Sequence, residues 1–206
     1  IPILSNILIE AKESKIKVTT TDLDIIYSEE IPIQDLKKEG TITTSATILH
    51  DILRKLEANA KVDFLLQDLN KLKLKSGNSK FNLLCMPSDS FPIPEKDTNL
   101  VTFEVQSEEF LKLLNKTKIS ISNDETRHYL NGIYFHKTNV NKNTYLSAVA
   151  TDSHRLSSSR ISIDPNINFE PIILPRKTIF QLISLLEQNT GKIKISNNKS
   201  KIKFSI

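Results

Sequence analysis

Apolar positions along this chain recur with two different periods. Residues 3 to 9 and 15 to 20 alternate or run apolar in short blocks divided by polar turn residues, and residues 130 to 135 and 144 to 150 do the same. Each pair predicts strand, loop, strand, because a half-buried strand turns successive side chains to opposite faces. Between residues 45 and 57 the period lengthens. Ile48, Ile52, Leu53 and Leu56 recur at helical spacing behind Ser45, whose short hydroxyl suits an N-cap. Residues 175 to 187 place Ile179, Leu182, Ile183 and Leu186 in the same way, with Pro175 suited to a first helical turn. A third helix is predicted from Ser107 to Lys116, with Phe110, Leu113 and Leu114 on one face, after a short strand from Thr102 to Val105. Elsewhere the period returns to two: Val62–Leu65, Lys71–Leu74 and Lys80–Cys85 in one half, Lys192–Ile195 and Lys201–Phe204 in the other, with Ser76-Gly77-Asn78 as a turn.

The two halves are copies of one unit. Sliding the chain by 130 residues pairs Thr21-Asp22 with Thr151-Asp152, Ser28 with Ser158, Ile31 with Ile161, Ile33 with Ile163 and Ile42 with Ile172, and continues to Asn59 against Asn189. Residues 21 to 59 hold 9 identities without a gap, which marks an internal repeat. Upstream, Pro2–Ile9 aligns with His128–Phe135 at an offset of 126, so the second copy is expected to carry four extra residues in the polar loop Lys137–Asn143. Each unit reads as a strand-rich α+β domain. The segment 102–116 has its expected counterpart before Ile1, and the segment 80–94 has its own after Ile206, so the pattern predicts a piece of a longer product. Pro87, Pro92 and Pro94, with Ser88, Asp89 and Ser90 among them, mark the linker, and the boundary is expected near residue 95, giving domains 1–95 and 96–206.

Composition narrows the class. The 206 residues are 38% hydrophobic and 25% charged, the balance of a globular chain rather than a disordered one. A single cysteine, Cys85, excludes an internal disulfide framework and any multi-cysteine zinc site, and fits a reduced cytosolic setting. No run approaches the length of a spanning helix, and the opening IPILSNILIEA lacks the signature of an export signal. The net charge of +4 is compatible with a polyanion partner, but the acidic residues interleave with the lysines as on an ordinary solvated surface.

Candidate chemistry concentrates in Ala150–Leu156, ATDSHRL. Asp152, Ser153 and His154 are the residue types of a nucleophilic triad. Three consecutive strand residues cannot form that relay among themselves, however, and no glycine-flanked nucleophile elbow accompanies them. A metal site has no support either: His50, His128, His136 and His154 are scattered, without ligand spacing, and 4 glycines leave no phosphate-binding loop, so no metal and no cofactor is expected. The aligned segment Thr20–Ile26, TTDLDII, keeps the Thr-Asp and lacks the His-Arg. The shared pair is therefore read as backbone support where a strand ends. The added His154, Arg155 and Leu156 suit a peptide-docking surface, an apolar anchor beside orienting polar groups. An ordinary surface loop is the competing reading, and a hydrolase using Ser153 and His154 the remote one.

The run Tyr129-Leu130-Asn131-Gly132, then Ala148–Leu156, then Leu174-Pro175-Arg176-Lys177 closely resembles the bacterial DNA polymerase III beta subunit family, the replicative sliding clamps. Pro2–Asn6 and Thr20–Leu23 look like the matching parts of that family's first domain. The resemblance implies an α+β fold of tandem clamp domains, three per subunit, of which this chain resembles most of the first and second. It implies a head-to-tail dimer closing a six-domain ring, with helices on the inner face and antiparallel sheets outside, and it leads us to expect that this chain alone does not close a ring. The implied role is non-enzymatic. The ring encircles double-stranded DNA without reading its sequence, as a processivity factor, and docks short peptide motifs of the polymerase III alpha subunit, the clamp loader and repair proteins, in the cytoplasm and with no membrane partner. By position, the resemblance assigns Arg176, Lys177, Tyr129 and His128 to DNA, and Leu130, Thr151, Ser153, His154, Arg155 and Leu156 to the second-domain wall of the peptide pocket. His128 and Ser153 are departures, at places where the family commonly carries tyrosine and glycine. Arg54, Lys55, Lys112 and Lys116 are expected as helix-borne helpers.

Overall fold

A computed structural model describes residues 2–68, 70–93 and 100–206. The chain divides into two compact units, residues 1–95 and 96–206. The boundary expected near residue 95, with Pro94, lies outside the described residues.

The first unit runs β1 (Asn6–Lys12), β2 (Lys15–Thr21), β3 (Ile26–Pro32), β4 (Gly40–Ser45), α1 (Ala46–Lys55), β5 (Asp63–Asp68), β6 (Lys71–Ser76) and β7 (Ser79–Met86). Its strands form one antiparallel sheet in the order β3-β2-β1-β4-β7-β6-β5. The second unit runs β8 (Val101–Gln106), α2 (Ser107–Thr117), β9 (Gly132–Val140), β10 (Asn143–Thr151), β11 (Leu156–Ser162), β12 (Ile172–Pro175), α3 (Arg176–Leu186), β13 (Lys192–Asn197) and β14 (Ile202–Ser205). Here two antiparallel sheets form, β11-β10-β9-β12 and β14-β13-β8. The order β3-β2-β1-β4 followed by a helix is thus repeated as β11-β10-β9-β12 followed by a helix, the α+β architecture that the sequence repeat predicts.

The four extra residues of the second copy do not lengthen a loop. Both hairpins close on two residues with positive φ, Glu13 (51°) and Ser14 (60°) in one, Asn141 (48°) and Lys142 (67°) in the other. The insertion instead extends the ladder, which closes at Lys12↔Lys15 in β1–β2 and at Val140↔Asn143 in β9–β10. Left-handed φ at both central residues matches the twist of the flanking strands, so the tight turn is retained and pairing absorbs the added length.

Four strands lacked a readable pattern. All seven residues of β3, an edge strand ending in Pro32, are exposed, so it has no buried face to produce a period. The serines of β11 blur its alternation, and β12 is only four residues long. In β4 two of the three buried positions are threonines: beside Ile42, Thr43 and Thr44 are fully buried with their hydroxyls donating to the carbonyls of Met86 (2.8 Å) and Leu84 (2.9 Å). Residues 3–5, expected as the start of a strand, instead lie in a turn of 3₁₀ helix, Pro2–Ser5.

The helices differ in what they bury. In α3, Ile179, Leu182, Ile183 and Leu186 are buried as their spacing predicts, within a core that includes Phe110, Leu113 and Leu114 of α2 and Ile133, Phe135, Leu146 and Ala148 of the sheet. In α1 only Leu49 is fully buried, while Ile48 (56% exposed) and Leu53 (38%) face outward. Among the described residues α1 is the only α-helix of the first unit, so within that unit one side of its apolar stripe stays uncovered. Ser45 caps α1, accepting from the Ile48 N–H at 3.4 Å. Pro175 lies one place earlier than expected: with ψ 150° it is the extended N-cap residue of α3 and the last residue of β12. The proline-marked linker also starts later than its composition suggests, because Ser88–Ser90 form a 3₁₀ turn and Phe91 is buried with Ile3 and Leu8.

Gly132 sits where β9 meets β12, opposite Pro175. A Cβ there would lie 2.4 Å from the Leu174 carbonyl oxygen and 2.9 Å from Ile173 Cγ2, so only glycine lets β12 approach. Gly132→Ala is expected to lower the free energy of unfolding by about 2 kcal/mol or more in urea titration. Gly40→Ala, at a position with no atom within 4 Å of the added methyl, should leave the midpoint nearly unchanged.

Candidate functional site

Register brings the candidate residues to one end of the four-stranded sheet. There β11 begins, β10 ends, β9 begins and β12 ends, with Thr151 opposite Leu156, Val149 opposite Tyr134 and Gly132 opposite Pro175. His128, Tyr129 and Leu130 lead into β9, residues 151–156 carry the β10–β11 turn, and Arg176 and Lys177 come directly after β12 as the first turn of α3.

The 151–156 turn is built by its first two residues. Thr151 Oγ1 accepts from the Ser153 N–H (3.2 Å) and donates to the Arg155 carbonyl (2.8 Å). Asp152 Oδ1 accepts from the N–H groups of His154 and Arg155, both at 3.0 Å, and Asp152 Oδ2 accepts from Arg155 Nε at 3.0 Å. The 21–26 turn repeats this pattern: Thr21 Oγ1 accepts from Leu23 (3.0 Å), and Asp22 Oδ1 from Asp24 (3.1 Å) and Ile25 (2.7 Å). The third residue is left-handed in both, Leu23 at φ 83° and Ser153 at φ 79°. Thr-Asp is thus a backbone support common to the two copies. The bonds from the Arg155 and His154 backbone, then the Arg155 side chain, hold the Asp152 carboxyl down at about 2.

The residues that the second copy adds point outward. Ser153, His154, Arg155 and Leu156 are exposed, Leu156 at 66%. No nucleophilic relay forms among the described residues: the Asp152 oxygens are taken by the turn and Arg155, and Ser153 Oγ accepts from Arg127 Nη1 (3.4 Å) rather than bonding His154. No group of metal-ligating side chains occurs among the described residues.

A neighbouring loop, residues 121–131, is fastened to this turn and to α3. Arg127, overlooked in the sequence, pairs with Asp124 (3.0 Å) while reaching Ser153; the i, i+3 acid–base spacing in NDETR was its only signal. Ser120 Oγ and Ser157 Oγ lie 2.6 Å apart. Asn131 Nδ2 donates to the Ser122 carbonyl (2.8 Å), and the Asn131 carbonyl accepts from the Arg176 N–H (2.9 Å). That last bond joins the exposed His128 and Tyr129 (68% exposed) to the start of α3. Leu130 is half-buried at the end of the loop, two residues before β9. Of the expected helpers, Arg54 lies 3.4 Å from Asp51 and Lys112 2.6 Å from Glu108, so both charges are answered locally. Lys116 is exposed.

Two family profiles match the chain: the DNA polymerase III beta subunit N-terminal domain over residues 1–95 and its central domain over residues 104–206. The beta sliding clamp of Caulobacter vibrioides is 35% identical over 206 residues, covering 99% of this chain and 55% of that protein. The beta sliding clamp of Rickettsia felis is 35% identical over 209 residues, covering 99% and 53%. Among solved structures, a DNA polymerase III subunit beta sliding clamp from Bartonella birtlesii bound to griselimycin superposes with a TM-score of 0.94 at 34% identity, covering all of this chain and 55% of that one. The DNA polymerase sliding clamp from Caulobacter crescentus gives 0.92 at 36% identity, with the same coverage. The chain spans about half the length of the curated relatives it matches.

Serine at φ 79° carries strain that glycine would not, so Ser153→Gly is expected to stabilise the second unit by about 1 kcal/mol, read as a raised thermal midpoint. Because the Asp152 carboxyl is depressed from 3.8, its contribution is complete above the unfolded value and is lost as pH falls through about 2. In a proton NMR titration the His154 and Arg155 amides should therefore shift only near the bottom of that window, and an amide titration centred at the ordinary carboxylate value would contradict the turn described.

Proposed function

The chain belongs to the DNA polymerase III beta subunit family, and from that premise we propose that it serves as a non-catalytic sliding clamp. Two copies of the full protein close a ring around duplex DNA in the cytoplasm, helices inward and sheets outward, and the ring tethers the replicative polymerase. Processivity then comes from topology, and the contacts with DNA need only be weak, salt-sensitive and blind to sequence.

The observation that carries this reading is the division of one sheet end between two kinds of surface. On the β9–β12 side, Arg176 and Lys177 open α3 behind a proline with no side-chain cap, beside exposed His128 and Tyr129. Backbone N–H groups and two cations at a helix start suit a phosphate. On the β10–β11 side, Leu156 stands exposed beside His154 and Arg155, with half-buried Thr151 paired opposite it and half-buried Leu130 in the loop before β9. An apolar anchor among orienting polar groups suits the short apolar motif of a polymerase alpha subunit, clamp loader or repair protein. Ser153 takes glycine's place with a glycine-like φ, so the turn keeps its course and the hydroxyl adds a bond to Arg127.

The two surfaces are separable by mutation. Arg176→Gln should reduce the slope of log affinity for duplex DNA against log salt by about 0.9, measured by fluorescence anisotropy, while leaving motif-peptide binding unchanged. Leu156→Ala should weaken a peptide carrying two apolar anchors about tenfold and leave DNA binding unchanged. Absence of salt-dependent duplex binding, or a hydrolytic activity abolished by Ser153→Ala, would sink the proposal.

A further inference from the structure

Phe180 lies on α3 one turn after Arg176 and is 41% exposed, the only Phe, Tyr or Trp exposed on an α-helix among the described residues. Two cations lie over it. The Arg176 guanidinium carbon is 4.8 Å from the ring centroid, and the Lys118 ammonium, from the short 3₁₀ turn just after α2, is 5.8 Å from it. A ring's quadrupole attracts a cation at about these distances. It also draws together two like charges that would otherwise repel.

Three features of the cluster point to an anion. Among the described residues, neither Arg176 nor Lys118 has a carboxylate within ion-pair distance, unlike Arg54 and Lys112 on helices and Arg127 and Arg155 in loops. Both residues are half-buried, whereas Lys112 and Lys116 on α2 are exposed. A long cationic side chain laid along a ring has less rotamer freedom to lose when it binds. Finally, the pair comes from two elements, so the charges face one patch of surface rather than running along one helix.

We infer that Lys118 is a further phosphate-contacting cation of the DNA-facing surface, and that Phe180 is the positioning residue that holds Lys118 and Arg176 toward the duplex backbone. This rests on the reading of Arg176 as DNA-facing. It extends that surface from the start of α3 to the end of α2, with duplex phosphates, not bases, as the ligand. A contact of this kind adds to the salt slope without adding sequence preference.

The test is the affinity of the full-length protein for a short linear duplex across a salt series, by anisotropy, for the unaltered protein, Lys118→Gln, Phe180→Leu, Phe180→Tyr and Arg176→Gln. Lys118→Gln is expected to lower the slope by about 0.9 and to weaken binding several-fold at low salt, with the thermal midpoint unchanged. Phe180→Leu should lose affinity with both cations still present, and Phe180→Tyr, which keeps the ring, should restore it. A Lys118→Gln slope equal to that of the unaltered protein, or a Phe180→Leu protein that binds normally, overturns this inference while Arg176→Gln still tests the DNA-facing reading by itself. If Arg176→Gln also leaves the slope unchanged, the underlying reading fails first.

Discussion

The close approach of β12 to β9 at Gly132 is the constraint on which the functional end of the second unit depends. Without a side chain at that position, the Leu174 carbonyl comes within 2.4 Å of where a Cβ would stand, and the ladder can run on to Pro175. The chain then enters α3 at once, and the Arg176 N–H reaches the Asn131 carbonyl. A helix start is thereby fixed beside an exposed loop from another part of the sequence. Tyr129, Leu130 and Asn131 are placed by that contact together with the bond from the Asn131 side chain to the Ser122 carbonyl.

The repeat shows how one backbone device can serve two ends. Thr21-Asp22 and Thr151-Asp152 satisfy the same N–H groups in the same order, and each forces the next residue into left-handed conformation. The turn is thus a bracket whose outward side chains are free to vary. In the first unit they are Leu23, Asp24 and Ile25; in the second, Ser153, His154 and Arg155, braced by Arg127 and Asp152. The apparent compression of acid, hydroxyl and imidazole in ATDSHRL has the same cause. The acid belongs to the bracket, and the side chains after it are the ones that face solvent.

Much of this was legible from one dimension. Three helices, the hairpins and the repeat are encoded in spacing alone, because burial on one face imposes a period of 3.6 or 2 on the chain. The ATDSHRL and YLNG runs likewise marked where the candidate residues lie. The strands that escaped notice are those whose burial leaves no such trace: β3 has no buried face, and β4 buries threonines whose hydroxyls find carbonyls on β7. The placing of four extra residues was also hidden, since a loop and a longer ladder read alike until the register is known.

Sequence by itself thus determined the α+β class, the duplication, and the segments that carry the candidate surfaces, since local propensity and periodic burial are properties of neighbours along the chain. Only the tertiary structure decided which segments share an end of the sheet, that Arg127 braces Ser153, and that Lys118 and Arg176 meet over Phe180. Those relations join residues far apart in the chain through strand register and helix packing, and no local pattern encodes a distance of that kind.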